Sequence, residues 1–262
     1  MNSSTRNYYR PANKKDLSDL MAQRESQPAP LIHGTRDPIG QFSGADAVID
    51  LNELHLNKII VEGTSIRIGG QVILQDVIDS PKLNELANGI LPEACLLAAH
   101  LGLRHLSTLG GVLLNRDGAA ELKLALLALG ADLVVMSTAT MRTVSLKEYQ
   151  PQLGDIVVDV ILKMREEKHH GALARVARTP LDDAIVAVVA IQEVDIFRVA
   201  ASGVGEPFIL IEVQAGESSE QIVEQVVNAA HPFSDYRGSA EYRRAMAGVL
   251  TKRTLQTMLG RN

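Results

Sequence analysis

Residues 103–131, LRHLSTLGGVLLNRDGAAELKLALLALGA, contain the most informative pattern in the chain. A tight turn at residues 108–111 is followed by a run, residues 119–129, that is apolar on almost every face. Gly adopts backbone angles and close approaches that other residues cannot, and a helix that is apolar all round is usually buried. The segment therefore predicts a Gly turn, a buried helix ended by Gly130, and a strand beginning at residue 132.

The turn at residues 108–111 has two interpretations. A Gly turn beside a buried helix can present backbone N–H groups to an anion such as a phosphate. Gly110 and Gly111 can also simply allow two backbone segments to pack closely. A short Gly motif is weak evidence for a ligand, so the turn by itself favours close packing.

Composition limits the possible functions. The 262 residues are enough for one large domain or two to three small ones. A net charge of −5 argues against a nucleic-acid-binding surface. Cys95 is the only cysteine, which excludes an internal disulfide, a Cys-ligated iron–sulfur cluster and a Cys-cluster zinc site. No side-chain motif for nucleophilic or metal-dependent catalysis is present, so we predict neither catalytic residues nor a metal.

The N-terminal sequence lacks a signal-peptide core, and no apolar run is long enough to span a membrane. We therefore expect a cytoplasmic protein that does not associate with membranes.

The first part of the chain alternates between helical and extended patterns, with a Pro-containing linker at residues 150–154. The helices are expected at residues 14–23, 83–87 and 92–101. The strands are expected at residues 47–51, 58–61, 65–74, 132–137 and 142–146.

Residues 155–262 show a different order. Five Val- and Ile-rich segments within residues 155–213 predict strands. Helices are expected after Ser218, which forms a capping-box pattern with Gln221, and over residues 240–259. Strands followed by helices predict an α+β domain.

Residues 103–131 resemble the second flavin-binding loop of the FAD subunit of molybdenum hydroxylases, the family of xanthine dehydrogenases and aerobic carbon monoxide dehydrogenases. The family pattern is approximately I-R-N-x-G-T-I-G-G-N, then S-P-x-x-D and L-L-A-L-G-A. Residues that fit it include Arg104, Thr108, Leu109, Gly110 and Gly111. Glu121 falls at the family Asp, whereas Ser107 and Val112 replace a Gly and an Asn.

Residues 33–36, HGTR, fall where that family has its first FAD loop, commonly A-G-G-T-D-L. Gly34 and Thr35 match the family, but His33 replaces a Gly and Arg36 replaces the usual Asp. A Cβ at position 33 hinders the approach of the backbone to a pyrophosphate, whereas Arg36 can itself bind a phosphate. Both a retained phosphate loop and a simple turn remain open.

The resemblance continues through the phrase DYRGSAEYR at residues 235–243 and covers nearly the whole chain. It implies an α+β fold, in which a two-part FAD-binding domain is followed by a C-terminal domain of a sheet and helices. The domains would be residues 1–150, with parts at about 1–57 and 58–150, and residues 155–262. FAD would be held by residues of both loops: His33, Gly34, Thr35, Arg36, Arg104, Ser107, Thr108, Leu109, Gly110, Gly111 and Glu121.

As such a subunit, the chain would pass electrons between iron–sulfur centres and an external acceptor. Its partners would be an iron–sulfur subunit and a molybdenum-cofactor subunit. Because the departures from the family lie in the two loops, a second hypothesis is a degenerate member that has lost FAD and serves as a structural or assembly partner. A third is that the altered loops bind a different nucleotide.

Overall fold

The computed structural model describes residues 7–24, 31–32, 47–115, 119–137, 140–152, 154–164, 169–180, 182–205, 207–214 and 216–260. The strands are β1 (Asn7–Tyr9), β2 (Leu31–Ile32), β3 (Ala47–Asp50), β4 (Ile59–Glu62), β5 (Ser65–Gly69), β6 (Asp132–Ser137), β7 (Thr140–Ser145), β8 (Ile156–Lys163), β9 (His170–Val176), β10 (Val186–Gln192), β11 (Ile196–Ser202) and β12 (Ile209–Gln214). The α-helices are α1 (Lys14–Gln23), α2 (Leu74–Asp79), α3 (Pro81–Glu85), α4 (Ile90–Ala98), α5 (Leu101–Arg104), α6 (Leu109–Leu114), α7 (Ala120–Ala128), α8 (Ser219–Ala229) and α9 (Ala240–Leu259).

The chain divides into two compact units, each built from separate segments. The first comprises the described parts of residues 1–76, 101–118 and 131–163. It contains a parallel sheet in the order β1-β3-β2 and an antiparallel sheet in the order β4-β5-β8-β6-β7. One of its apolar clusters contains the buried side chains of Leu17, Ile49, Leu51, Leu56, Val134, Met136, Ile156 and Val158.

The second unit comprises the described parts of residues 77–100, 119–130 and 164–262. Its antiparallel sheet has the order β12-β11-β10-β9. Residues 186–191 of β10 are all buried. Because successive side chains of a strand point to opposite faces, both faces of the sheet are covered at β10, which contacts both α7 and α9. The helix α7 also contacts α4, which explains why it is apolar on nearly every side.

Much of the sequence-based assignment is confirmed. The helices at residues 14–23 and 240–259 are found with those bounds, and the capping box of Ser218 and Gln221 is present. Gly130 follows α7 with a φ of +66°, as its helix-ending position predicted. The expectation that residues 71–74 continue the β5 strand was wrong. The Val72 N–H donates to the Gly69 carbonyl at 3.0 Å to close a turn, and α2 begins at Leu74.

The mixed α+β composition agrees with the predicted fold class. Strand β8 pairs with β5 and β6 in the first unit, although the sequence grouped it with the later strands. The domain bounds at residues 1–150 and 155–262 stay a prediction. Among the described residues, no helix combines the length and apolarity needed to cross a membrane.

Candidate functional site

The turn at residues 108–111 forms the start of α6. Thr108 is the N-cap of this helix, and its Oγ1 accepts a hydrogen bond from the Gly111 N–H at 3.1 Å. A hydroxyl at this position satisfies one of the N–H groups that a helix start leaves without an intrahelical partner. Thr108 therefore has a structural role in shaping the turn, whether or not the turn also contacts a ligand.

Close backbone packing, one of the two interpretations of the turn, is observed at Gly110. The Gly110 N–H donates to the Gly70 carbonyl at 2.8 Å, and a Cβ at Gly110 would lie 2.8 Å from that oxygen. Gly70 is even more tightly enclosed, because a Cβ there would lie 1.8 Å from the Val157 carbonyl oxygen. Only Gly lets the turn, the segment after β5 and strand β8 approach this closely.

The backbone N–H groups of the turn already have partners inside the chain. The Leu109 N–H donates to the Val72 carbonyl at 2.9 Å, and the Val112 N–H donates to the Thr108 carbonyl at 3.0 Å. Together with the bonds of Gly110 and Gly111, these contacts occupy the N–H groups of four successive residues. A phosphate bound here would have to be held mainly by side chains or would have to replace one of these bonds.

Two buried polar atoms of residues that precede the turn in the sequence have no hydrogen-bond partner among the described residues. Ser107 is 0% exposed, and its Oγ has no hydrogen-bond partner within the described structure. The same is true of the buried Nε of Arg104 on α5. Both atoms can donate a hydrogen bond, and a buried donor without an acceptor is unfavourable by about 1–3 kcal/mol. A hydroxyl and a guanidinium that both need an acceptor fit an anionic group such as the FAD pyrophosphate.

Glu121, placed by the resemblance near the flavin, lies on α7 and is only 2% exposed. One of its carboxylate oxygens is 2.9 Å from Nη1 of Arg175 on β9. Arg175 also donates from Nη2 to the Asp182 carbonyl. Arg175 was not predicted as a partner of Glu121, because no local pattern relates residues 121 and 175. In the structure, the charge of Glu121 is compensated by an arginine, and the pair joins α7 to β9.

Replacing Glu121 by Gln is expected to lower the free energy of unfolding by about 1–3 kcal/mol, because Arg175 loses its charged partner in a buried position. Urea unfolding of the two proteins measures this change. The matched control is Glu85→Gln, which removes an exposed pair with Lys82 at 3.2 Å and should change stability by less than about 1 kcal/mol. Equal effects of the two substitutions would contradict the role given to the Glu121–Arg175 pair.

The first loop, His33, Gly34, Thr35 and Arg36, lies outside the described residues. Within the described part of the chain, no group of three or more His, Cys, Asp or Glu side chains could hold a metal ion.

A buried arginine that sequence analysis did not single out organises the phrase at residues 235–243. Arg243 is 1% exposed, and its Nη2 is 2.7 Å from Oδ1 of Asp235. Its Nη1 donates to the carbonyls of Ile185 at 2.7 Å and Gly203 at 3.2 Å. Burial opposes the charge on the Asp235 carboxyl, but hydrogen bonds from Arg243 and Arg237 outweigh it and hold its pKa below the ordinary value of 3.8.

This lowered pKa predicts that acid destabilises the protein through Asp235. As the pH falls below 3.8, the unfolded chain takes up a proton on this carboxyl before the folded chain does, so stability falls. Asp235→Asn removes that titration, and its free energy of unfolding should therefore depend less steeply on pH between about 4 and 2. Denaturant unfolding across this range tests the expectation, and parallel pH curves for the two proteins would refute it.

Residues 3–163 match the family model described as the FAD binding domain in molybdopterin dehydrogenase. The match spans more than half of the chain, and the chain therefore belongs to this family of FAD-binding molybdenum hydroxylase subunits. FAD is the cofactor of the family domain.

Relatives and a solved structure resemble the chain over most of its length. The uncharacterized protein YgfM of Escherichia coli is 30% identical over 206 residues, 77% of this chain and 76% of that protein. The nicotine 6-hydroxylase medium subunit of Paenarthrobacter nicotinovorans is 26% identical over 272 residues, 95% of each chain. A chain in the crystal structure of cyanide-inactivated Cu,Mo-CO dehydrogenase superposes with a TM-score of 0.87, at 22% identity and 100% coverage of both chains. At that identity, the superposition shows the shared fold.

Proposed function

We propose that the protein is the FAD-binding electron-transfer subunit of a molybdenum hydroxylase-type complex. The observation that carries this proposal is the pair of buried donors, Arg104 Nε and Ser107 Oγ, beside a Gly turn in the family's second flavin-loop position. Within the described residues these atoms have no acceptor, and the FAD pyrophosphate would supply one.

The protein's residues would bind and orient the cofactor. When bound, FAD supplies the redox chemistry, accepting and releasing electrons. Ser107 and Arg104 would donate to the pyrophosphate, while the Thr108 cap and the Gly110–Gly70 contact keep the turn in place. Gly34, Thr35 and Arg36 would contribute from the first loop. Because Glu121 is compensated by Arg175, we assign it to positioning α7 and not to direct flavin contact.

The partners in this proposal are an iron–sulfur subunit, which exchanges electrons with the flavin, and a molybdenum-cofactor subunit, which oxidises the substrate. A relative named as the medium subunit of nicotine 6-hydroxylase supports a place in a multi-subunit enzyme. The match to a chain from a Cu,Mo enzyme agrees with a molybdenum-containing partner. We place the complex in the cytoplasm.

A second candidate is a family member that has lost FAD and acts as a structural or assembly partner. Two observations favour it. The N–H groups of Leu109 to Val112 are already used inside the chain, and Glu121 pairs with Arg175. A turn closed by internal bonds leaves fewer donors for a cofactor than an open phosphate loop does.

Absorbance of the purified protein, before and after addition of FAD, separates the two candidates. Blue and near-ultraviolet flavin bands that survive desalting establish a flavoprotein. A colourless protein that takes up no FAD supports the degenerate scaffold, and His33→Gly with Val112→Asn is then the first reversion to make. Uptake of ADP without FAD would instead indicate a different nucleotide ligand.

Ser107→Ala tests the placement of the cofactor. Because the Ser107 hydroxyl has no partner in the described structure, its removal should not lower the stability of the cofactor-free protein. If it donates to a phosphate, the variant should bind FAD roughly 10-fold or more weakly. FAD titration and urea unfolding of the cofactor-free protein measure the two effects. Lower stability with unchanged FAD affinity would show that Ser107 serves only the fold.

A further inference from the structure

The geometry points to a docking surface for an acidic side chain of a partner subunit, formed by residues 178–180, 182–183 and 233–242 of the second unit. This surface, the arginine–tyrosine surface, centres on a pocket of about 150 Å³ lined by Arg178, Asp182, Asp183, Ile185, Tyr236 and Arg237. The inference rests on the proposed function, since it assigns the place where this chain contacts another subunit of the complex.

The centre of the surface is a turn whose shape is already established in the free chain. Asp235 and Gly238 exchange backbone hydrogen bonds at 3.1 and 3.2 Å. Oδ1 of Asp235 also accepts from the N–H of Arg237 at 2.8 Å and from buried Arg243 at 2.7 Å. Tyr236 therefore projects from a rigid turn, and little conformational entropy is lost when a partner contacts it.

Two guanidinium groups flank the Tyr236 ring. The Cζ atoms of Arg178 and Arg237 lie 5.7 and 5.8 Å from its centroid. Arg237 bonds Asp235 through Nε at 3.2 Å, and within the described residues its two terminal nitrogens make no hydrogen bond. Nε of Arg178 is 3.6 Å from Oδ2 of Asp182, and among the described residues the Arg178 side chain makes no hydrogen bond. The terminal N–H groups of both side chains can thus receive a carboxylate in two-point geometry.

The size and exposure of the surface favour a protein over a small ligand. Pockets for cofactors and other small molecules usually have volumes of about 300–1,000 Å³, whereas this pocket, at about 150 Å³, holds one side-chain group. Tyr236 is 82% exposed, and Phe233 and Tyr242, close to it in the sequence, are 45% and 41% exposed.

The composition of the surface supports the same conclusion. The chain has five tyrosines, four phenylalanines and no tryptophan, and three of these rings lie within residues 233–242. Rigid tyrosines and arginines are the residues that most often dominate protein–protein affinity. Asp182 and Asp183 also line the pocket, and Arg178 faces Asp182. An Asp or Glu surrounded by apolar groups on the partner therefore complements the two unbonded terminal nitrogens of Arg237 together with the exposed rings.

The test uses the complex as it is purified through a tag on this chain. Tyr236→Ala and Arg237→Glu should each weaken subunit association roughly 30-fold or more, as measured by dissociation on dilution. The matched control, Val194→Ala, removes a 50%-exposed apolar side chain of the same unit and should leave association unchanged. The flavin absorbance per chain should be equal in all four proteins, including the unmodified one.

Zero-length cross-linking identifies the occupant. In a complex carrying Arg237→Lys, carbodiimide should link residue 237 to an Asp or Glu of another subunit. Arg253→Lys, at an exposed position on α9, is the control and should give no such link. Links from residue 237 only to Asp182, Asp183 or Asp235 of the same chain would overturn the proposal.

The remaining outcomes separate this inference from the proposed function. Unchanged assembly of Tyr236→Ala overturns the docking surface alone. An unmodified chain that copurifies with no other subunit overturns both. Saturable binding of inorganic phosphate or succinate to the full chain, lost in Tyr236→Ala while assembly is unchanged, would identify a small-anion site and overturn the docking surface.

Discussion

Replacing Gly70 by Ala is expected to destabilise the first unit by more than about 4 kcal/mol, the range reached only by severe core disruption. The added Cβ would lie 1.8 Å from the Val157 carbonyl oxygen. No rotamer change relieves this distance, because the position of a Cβ is set by its own backbone and the oxygen is a backbone atom. The Gly70 N–H, which donates to Val158 at 2.8 Å, would be displaced as β8 moves away. The Gly70 carbonyl also accepts the hydrogen bond of the Gly110 N–H, so the turn at residues 108–111 would shift as well.

Thermal and urea unfolding, together with FAD uptake, measure these effects. Gly110→Ala should lower the stability less than Gly70→Ala but more than a glycine substitution without a clash, because its Cβ would lie 2.8 Å from the Gly70 carbonyl oxygen. The control is Gly63→Ala in the β4–β5 turn. Among the described residues other than its chain neighbours, no heavy atom lies within 4 Å of its added Cβ, and only the backbone strain of a positive φ, about 1–2 kcal/mol, is expected. A Gly70→Ala protein as stable as Gly63→Ala would show that β8 moves aside without cost.

Replacing Arg243 by Met is expected to lower the free energy of unfolding by about 3–5 kcal/mol, as is typical when one member of a buried ion pair is removed. The side chain is 1% exposed and bonds to one carboxylate and two backbone carbonyls, from Asp235, Ile185 and Gly203. Methionine fills a similar volume but donates no hydrogen bond. The carbonyl of Ile185 would then be left buried without this donor, and Asp235 would lose its charged partner.

The neighbouring arginine provides the control for this substitution. Arg244 is exposed and donates to the Ala230 carbonyl at 2.9 Å, so Arg244→Met should change stability by no more than about 1 kcal/mol. Arg243→Lys keeps the charge but loses the forked geometry of the guanidinium group. We therefore expect its free energy of unfolding to lie between those of Arg243→Met and Arg244→Met. Urea unfolding of the four proteins tests the order. Similar stabilities for Arg243→Met and Arg244→Met would contradict the role of Arg243.

Helices marked by a capping residue or by a continuous apolar run were predicted correctly. The helix α1 begins after Asn13, whose side chain accepts from the N–H groups of Lys15 and Asp16. The helix α9 begins after Ser239, whose side chain accepts from the N–H of Tyr242. Such caps involve residues two or three positions apart, so they are visible in the sequence. The apolar run of α7 likewise predicted its burial correctly.

The strand expected at residues 71–74 failed because distant contacts decide its conformation. Leu74 is 0% exposed, and its N–H donates to the Ser107 carbonyl at 3.0 Å, while Ile73 forms an isolated antiparallel bridge with Thr108. These partners are more than thirty positions away in the sequence. No periodicity within residues 71–74 indicates them.

By itself, the sequence determined the helices α1, α7, α8 and α9, most strands, the Gly turn and the family, because each depends on neighbouring residues or on a motif that can be matched directly. Only the tertiary structure placed Gly110 against Gly70, paired Glu121 with Arg175, joined β8 to β5 and β6, and brought Arg178 beside Tyr236. The physical reason is that the partner of a buried charge, and the distance between two packed backbones, depend on residues far apart in the sequence. Those pairings exist only once the chain has folded.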